Sequence, residues 1–463
     1  MTDTHFHKPK FSLLIGVSIT TILLIAIPLT WRIGKDSFPD ESKLQAPYRY
    51  PFTNSLARTD NRRNTLLREI TFYQQRLSQD PQSGLNLASL GATYLKMARA
   101  TGENSWYLLA EQAAKRSLAS LSFHNNGAVL VLARVAQARH DFPEAIRLSQ
   151  QVLKSQPDNQ DALSNLVTTN LALGNLAAAS KYALALVDEM PSQGNFTLQA
   201  LVKVAQGKDK EALQSFNWAL AAEEPGEQSS SAWTRTLLGR YYYSRGKLEL
   251  SRDLYREALR ILPGYYLAML HLAELETRAG NYNDALGYYN QITSNSKESS
   301  TVFNHAVLRG KEKLKQLQGK QQQANAFSSA RLTLLQQEAG RNTSFGHRRD
   351  LARLLLETGR PQDVAEALTL MQQEVGIRRD AQTLDTLAWA LLKSGKLQLA
   401  QQVMQEALRL GTRDAGIFYR AASIEKALGN NSQATVYTKL AREVDPTFDE
   451  VASRLEGLEN FGF

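Results

Sequence analysis

Apolar residues recur at intervals of three and four in two stretches of residues 232–265, with a glycine between the stretches. They are Leu237, Leu238, Tyr241 and Tyr242 in the first stretch, and Leu250, Leu254, Ala258 and Leu259 in the second. This spacing places the apolar side chains of each stretch on one face of an α-helix. Gly246 favours a turn between the helices, and Pro263 ends the second one. The pattern therefore predicts a pair of antiparallel helices.

The same pattern returns 34 residues further along the chain. Leu238 then corresponds to Leu272, Gly246 to Gly280, Ser251 to Ala285 and Tyr255 to Tyr289. One short helix pair cannot bury its own apolar face, but stacked copies of the pair can form a continuous core. The sequence therefore predicts an all-α solenoid of antiparallel helix pairs.

This unit resembles the tetratricopeptide repeat (TPR), a helix–turn–helix of 34 residues. The matching positions are Leu238, Gly239, Tyr242, Ser251, Tyr255, Ala258 and Pro263. Small residues at Gly239 and Ser251 would let the two helices approach closely, and Tyr242 and Tyr255 would fill the space between them. The resemblance covers roughly residues 84–448 as about nine or ten repeats, and it implies a right-handed superhelix. The run from Thr383 to Gly429 resembles large bacterial proteins of this family, some of them anchored in membranes.

The TPR solenoid is predicted to span residues 61–448. Its first full repeat begins near Gly84, and the turn of that repeat, around Thr101–Ser105, is long enough that we expect it to project from the stack. Residues 293–344 keep an apolar trace but lose the signature, so a degenerate section is expected there. Residues 449–463 are predicted to form a helix that caps the solenoid.

The chain changes character twice before the solenoid begins. Residues 1–10 form a polar tail, and residues 11–33 are predicted to form a transmembrane anchor. The 21 residues from Phe11 to Trp31 carry no charge, and as a helix they would span about 31 Å, the thickness of a bilayer core. The alternative is a cleaved signal peptide, but the apolar run is longer than a typical signal core and no A-x-A pattern follows it. Residues 34–60 hold three prolines and no helical period, so a linker is expected.

The charges that flank this apolar run predict its orientation. Lys8 and Lys10 precede it, whereas Arg32 and Lys35 follow it. A basic tail directly before an apolar run is typical of an uncleaved signal anchor, which exports the rest of the chain. We therefore expect a single-pass protein of a bacterial inner membrane with a periplasmic solenoid. The alternative is a cytoplasmic solenoid, favoured by further basic residues on the C-terminal side.

Composition narrows the partners only slightly. The formal net charge is +9 and the pI is near 9.4, which favours anionic partners. The basic residues are spread out and no nucleic-acid motif is present, so we expect a solvated basic face and no nucleic-acid partner. The chain has no cysteine, which excludes disulfides and thiolate metal sites.

No catalytic constellation can be assembled from the sequence. The chain lacks a phosphate-binding P-loop, a GxSxG elbow and an HExxH helix. Its seven histidines are not spaced as metal ligands on one helical face, apart from His5 and His7 in the polar tail. We therefore expect no enzyme activity, no metal site and no cofactor.

The resemblance implies a concave groove, lined by the first helix of each pair, that binds other proteins or peptide segments. The groove positions expected here are Trp233, Arg240, Tyr243, His271, Glu274, Arg349, Arg353, Asp385, Trp389, Tyr419 and Arg420. Trp, Tyr and Arg combine a large contact area with directed polar groups, and they dominate interface energetics. The alternative for each residue is packing against the adjoining helix. Arg349 and Arg353 lie four apart, so together they could hold an acidic segment.

One ligand class of the family can be tested on the sequence. TPR proteins that bind the acidic C-termini of heat-shock chaperones hold the terminal carboxylate with Lys, Asn and Arg at fixed positions. The corresponding residues here are Leu130, Arg134, Asn165, Asn195 and Leu198. Only Asn165 fits, so that ligand class is not expected.

These observations favour a membrane-anchored scaffold that holds partner proteins in its groove. An assembly factor that transiently engages subunits of an envelope or membrane complex is the alternative. An enzyme built on helix pairs is a third hypothesis, and the absence of catalytic motifs disfavours it.

Overall fold

The computed structural model describes residues 48–52, 62–294, 301, 303–339, 347–450 and 453. All of them belong to one compact unit, Glu41–Phe463. The other unit, Met1–Asp40, lies outside the described residues, and with it the predicted polar tail and transmembrane anchor. Of the helices that are described, none is both long enough and apolar enough to cross a membrane.

The described chain is almost entirely α-helical. Its helices are α1 (Arg62–Gln79), α2 (Gly84–Thr101), α3 (Ser105–Ser120), α4 (Asn126–Ala138), α5 (Phe142–Ser155), α6 (Gln160–Leu173), α7 (Leu176–Glu189), α8 (Gln193–Ala205), α9 (Asp209–Ala221), α10 (Gln228–Tyr243), α11 (Leu248–Ile261), α12 (Tyr266–Arg278), α13 (Tyr282–Ser294), α14 (Asn304–Leu317), α15 (Gln321–Ala339), α16 (Arg348–Thr358), α17 (Pro361–Glu374), α18 (Ala381–Lys393), α19 (Leu397–Arg409), α20 (Ala415–Ala427) and α21 (Asn431–Val444). After α1, each even-numbered helix packs against the odd-numbered helix that follows it, and each pair packs against the next. The predicted all-α solenoid is therefore confirmed for the described residues.

Local sequence signals set where several helices begin. The side chains of Asn159 and Asp414 each accept a hydrogen bond from the backbone N–H three residues later, at 3.0 Å in both cases, and so cap α6 and α20. Asp380 caps α18 in the same way, accepting from the N–H of Thr383 at 3.1 Å. Such caps satisfy backbone donors that the first helical turn leaves without partners.

The α10–α11 pair shows how the signature residues fix the distance between helices. A Cβ on Gly239 would lie 2.6 Å from Cε1 of Tyr255, so glycine is what permits this approach. Ser251 donates its hydroxyl to the carbonyl oxygen of Gly239 at 2.8 Å. Gly246 joins the helices with a φ of 71°, a conformation that favours glycine. The predicted helix pair is confirmed in detail.

The first repeat differs from the expectation of a projecting loop. α2 continues to Thr101 and α3 begins at Ser105, so the additional residues lengthen the helix and leave a short turn. That turn forms an isolated antiparallel bridge between Glu103 and Thr301. In the section predicted to be degenerate, the described residues form the α14–α15 pair. Most of the predicted C-terminal cap, residues 449–463, lies outside the described residues.

The solenoid contacts itself after roughly six repeats. Turns within the N-terminal helix pairs meet loops between the C-terminal pairs. Examples are the 3.2 Å bond from the N–H of Arg379 to the carbonyl oxygen of Leu173, the 2.7 Å bond from the hydroxyl of Thr412 to the carbonyl oxygen of Ala205, and the 2.8 Å bond from Arg278 to Asp445. A Cβ on Gly207 would lie 2.0 Å from the carbonyl oxygen of Gly411. The two parts of the array therefore pack in direct backbone contact.

Residues 48–52 belong to the predicted linker but pack on the middle of the solenoid. Tyr48 and Tyr50 are buried. Arg235 donates from Nε to the carbonyl oxygen of Tyr48 at 2.7 Å, and the N–H of Tyr50 donates to Glu257 at 2.8 Å. This part of the range does not behave as a free linker, because its backbone bonds to side chains of α10 and α11. The rest of the range lies outside the described residues.

Candidate binding groove

In several helix pairs, polar side chains on the first helix bond to the first helix of the next pair. Examples are Arg134 to Ser164 at 2.7 Å, Gln137 to Thr168 at 2.6 Å, Gln160 to Asn195 at 3.2 Å, and Thr197 to Thr234 at 2.8 Å. The bonds repeat because equivalent positions of adjacent repeats face one another. The first helices are therefore joined by a row of side-chain hydrogen bonds, which also fixes how the repeats stack.

A groove crosses the first helices of five pairs, from α2 to α10, and reaches the start of α12. We call it the N-terminal groove, and its lining includes Arg99, Arg134, Asp161, Ser164, Asn195, Trp233 and Tyr265. Its volume is about 380 Å³. Of the groove residues predicted from the sequence, the N-terminal groove contains Trp233.

Arg134 is one of the charged residues that line the N-terminal groove. Its Nη2 bonds to Ser164, whereas its Nη1 is buried and has no hydrogen-bond partner among the described residues. Burial and the neighbouring charge of Arg99 lower the pKa of Arg134, and Asp161 only partly offsets them. A bound anion would relieve this unfavourable charge balance, because it would supply both an opposite charge and a hydrogen-bond acceptor.

A second cavity lies where the N-terminal and C-terminal repeats meet. It has a volume of about 190 Å³ and brings together four predicted groove residues, Arg240, Tyr243, Arg353 and Asp385. Burial raises the pKa of Tyr243, and the charge of Arg278 does not cancel that effect. The cavity is therefore a mixed polar and aromatic site formed by residues distant in sequence.

Arg349 and Arg353 have partners within the solenoid. Arg349 is 3% exposed and donates to Asp380 at 3.0 Å and to Thr383 at 3.3 Å. Arg353 is buried and donates from Nε to Thr386 at 3.1 Å. The geometry gives both residues the packing role that was the alternative in the sequence analysis. Their predicted grip on an acidic segment would require these contacts to be exchanged.

Arg420 also packs within the solenoid. It donates to Asp385 at 2.7 Å and lies over the ring of Trp389, 4.3 Å from its centroid. Tyr419, one residue earlier, is 41% exposed. Of these four predicted groove residues, Tyr419 is the one most open to a partner.

His271 and Glu274 form a contact pair on α12. Nδ1 of His271 lies 2.9 Å from Glu274, and its Nε2 lies 3.4 Å from Arg240. Burial would raise the pKa of Glu274, but the contact with His271 outweighs it and lowers that pKa. Asn165, the one residue that fits the chaperone clamp, is fully buried and donates to Ser149 at 2.8 Å. Ser149 belongs to α5, so Asn165 bonds to the second helix of the preceding pair.

The structure also gathers residues that sequence spacing did not connect. Arg99, Asp161 and Tyr265 enter the N-terminal groove, although the sequence analysis did not select them. His305 and His347 meet beside Asp350 although 42 positions separate the two histidines in the chain. The expectation of no metal site rested on spacing along single helices, which cannot detect donors from two helix pairs.

Two family models match parts of the chain. One is described as a tetratricopeptide repeat and matches residues 236–299. The chain contains tetratricopeptide repeats. The other is described as the fifth ARM repeats domain of TT21 and matches residues 126–238. Proteins with tetratricopeptide repeats are generally scaffolds for protein–protein interaction, and no enzyme family is among the matches.

Several solved structures are similar to the chain at low sequence identity. A tetratricopeptide repeat protein from Parabacteroides merdae is 17% identical, with a TM-score of 0.38, over 56% of this chain and 94% of its own. PilW, a type IV pilus biogenesis factor, is 17% identical, with a TM-score of 0.38, over 48% of this chain and 96% of its own. The human IFIT1 dimer with m7Gppp-AAAA is 13% identical, with a TM-score of 0.46, over 82% of this chain and 86% of its own. No curated protein matches the sequence. Similarities at this level assign no ligand to the chain.

Proposed function

We propose that this TPR chain is a scaffold that holds an acidic polypeptide segment in the N-terminal groove. The observation that carries the proposal is the buried Nη1 of Arg134, which faces no hydrogen-bond acceptor within the described chain. A carboxylate of a partner would satisfy this donor, and charge-assisted bonds of that kind are stronger than neutral ones. The net charge of +9 would favour the approach of such a segment.

The neighbouring residues suit a peptide better than an isolated ion. Trp233 and Tyr265 provide aromatic surface, and Asn195 and Ser164 provide side-chain amide and hydroxyl groups. Aromatic anchors beside directed polar groups are typical of protein interfaces. In the N-terminal groove, the aromatic surface would therefore contribute affinity for an extended segment, and the polar groups would fix its position along the groove.

The test uses the full-length chain and a random peptide library. Selection should enrich peptides with aspartate or glutamate, and Arg134→Gln should weaken binding of the best of them by about 10- to 150-fold, since a charge-assisted bond contributes about 1.5–3 kcal/mol. Arg147→Gln is the matched control, because Arg147 has a side chain that is 60% exposed and pairs with Glu144 at 2.7 Å. Equal affinity of the wild type and Arg134→Gln for every selected peptide would refute the groove assignment.

We also propose that residues 11–33 anchor the chain in a bacterial inner membrane and that the solenoid is exported. The uncharged run and the basic tail before it support this proposal. Protease added to spheroplasts should degrade the solenoid while the membrane is intact. Full protection of the solenoid would reverse the orientation, and release of the chain without membrane extraction would refute the anchor.

A further inference from the structure

Three metal-binding side chains converge between two helix pairs. His305 lies in the first turn of α14, His347 directly precedes α16, and Asp350 lies in the first turn of α16. One donor atom from each lies within 4.8 Å of the other two. Nε2 of His305 is 3.7 Å from Oδ2 of Asp350, and Nδ1 of His347 is 3.6 Å from the same oxygen.

These distances are close to those of a coordinated ion. In a tetrahedral zinc site with bonds of about 2.0–2.1 Å, neighbouring donor atoms lie about 3.3 Å apart. The two histidine-to-carboxylate distances exceed that value by a few tenths of an ångström. Small side-chain rotations would therefore suffice for all three donors to reach one ion.

The donors are buried, and two of them have hydrogen-bonding capacity to spare. His305 is 1% exposed, His347 4% and Asp350 8%. Nε2 of His305 and Oδ1 of Asp350 have no hydrogen-bond partner among the described residues. Leaving buried polar atoms without partners is costly, so a ligand at this point would be stabilising.

Nearby arginines do not leave the site with excess positive charge. Arg349 pairs with Asp380 at 3.0 Å, and Arg331 pairs with Glu312 at 3.2 Å. Arg309 lies 3.5 Å from Glu357. Each guanidinium therefore has its own carboxylate.

We propose that His305, His347 and Asp350 bind a divalent transition-metal ion of the class that prefers imidazole together with carboxylate, such as zinc. Two imidazoles and one carboxylate form a common donor set for such ions. Three protein ligands leave a further coordination position for water or another donor. The bound ion would connect α14 to α16 and thereby join the section of weak TPR signature to the regular repeats after it. This proposal is independent of the N-terminal groove.

The test uses the untagged full-length chain, with His5→Ala and His7→Ala introduced because the tail histidines could bind metal themselves. This background chain is stripped with a chelator and titrated with zinc against a chromophoric competitor. It should bind one equivalent. His305→Gln, His347→Gln and Asp350→Asn should each weaken binding at least 100-fold, since even outer-shell changes commonly cost 10–100-fold. His271→Gln, at another buried histidine, should bind as the background chain does.

A spectroscopic measurement keeps the test independent of how well the variants fold. Cobalt added to the background chain should give the intense visible bands of a four-coordinate ion with nitrogen and oxygen donors, and zinc should displace them. The absence of saturable zinc binding by the background chain would overturn the proposal. If His305→Gln and His347→Gln bound zinc as tightly as the background chain does, the proposal would be overturned as well. A purely octahedral cobalt spectrum would also overturn it.

Discussion

Replacing Arg235 with methionine should destabilise the middle of the solenoid and release residues 48–52. The side chain of Arg235 is fully buried and pairs with Glu223, which is 2% exposed. Its Nη2 donates to Glu223 at 3.0 Å, and its Nε donates to the carbonyl oxygen of Tyr48 at 2.7 Å. Methionine fills a similar volume but leaves the carboxylate and the carbonyl oxygen without this donor.

The expected magnitude follows from the burial of both partners. Removing one partner of a buried ion pair costs about 3–5 kcal/mol, because the remaining charge is left uncompensated. An exposed pair contributes within about 1 kcal/mol. Arg147→Met, which breaks the exposed pair with Glu144, is the matched control. Adding Glu223→Gln to Arg235→Met should recover part of the loss, since it removes the buried charge.

Two local assays measure this effect. Global unfolding of a repeat array need not be two-state, so amide hydrogen exchange of α9, α10 and α11 is the better measure of stability. Trypsin should also cleave after Arg49 faster in Arg235→Met, because Arg49 lies between the two docked tyrosines. If Arg235→Met and Arg147→Met behave alike in both assays, Arg235 does not hold this segment.

Features that depend on residues close together in the chain could be predicted from the sequence. The 34-residue period, the close approach at Gly239 and the turn at Gly246 all follow from residues near one another in the chain. Their physical causes are local, because helix spacing and turn conformation are set within one repeat. This is why the all-α fold was predictable.

Contacts between distant repeats could not be predicted in the same way. Whether Ala205 meets Thr412 depends on the small rotation that each repeat adds, summed over about six repeats. The docking of Tyr48 depends on the same geometry. The convergence of His305, His347 and Asp350 could not be predicted for a related reason, since the three residues come from the ends of two different helices.

The groove residues were only partly predictable from the sequence. A residue can lie on the inner side of the solenoid and still have its hydrogen-bond donors occupied by neighbouring side chains. The sequence indicates that Arg349 and Arg420 lie on first helices, but it does not show which neighbouring side chains occupy their donors. In the structure, both pair with carboxylates of an adjacent repeat. Arg134 keeps one donor atom without such a partner. The N-terminal groove is therefore identified by unfilled hydrogen-bonding capacity, which only the three-dimensional arrangement reveals.

Two further substitutions test the packing of the array. Gly239→Ala should destabilise the α10–α11 pair by about 1–3 kcal/mol through overpacking against Tyr255, whereas Gly287→Ala, where a Cβ meets nothing within 4 Å, should be neutral or stabilising in thermal unfolding. Equal effects of the two alanines would contradict the close approach. Arg278→Ala tests the contact between the N-terminal and C-terminal repeats, because Arg278 holds both oxygens of Asp445, at 2.8 and 3.0 Å, from a buried position. Loss of this pair should speed hydrogen exchange in α20 and α21 and raise the radius of gyration measured by X-ray scattering, since local interactions within each repeat would persist while the return contact opens. An unchanged radius together with unchanged exchange would show that the backbone contacts at Gly207 and Leu173 hold the array closed without this ion pair.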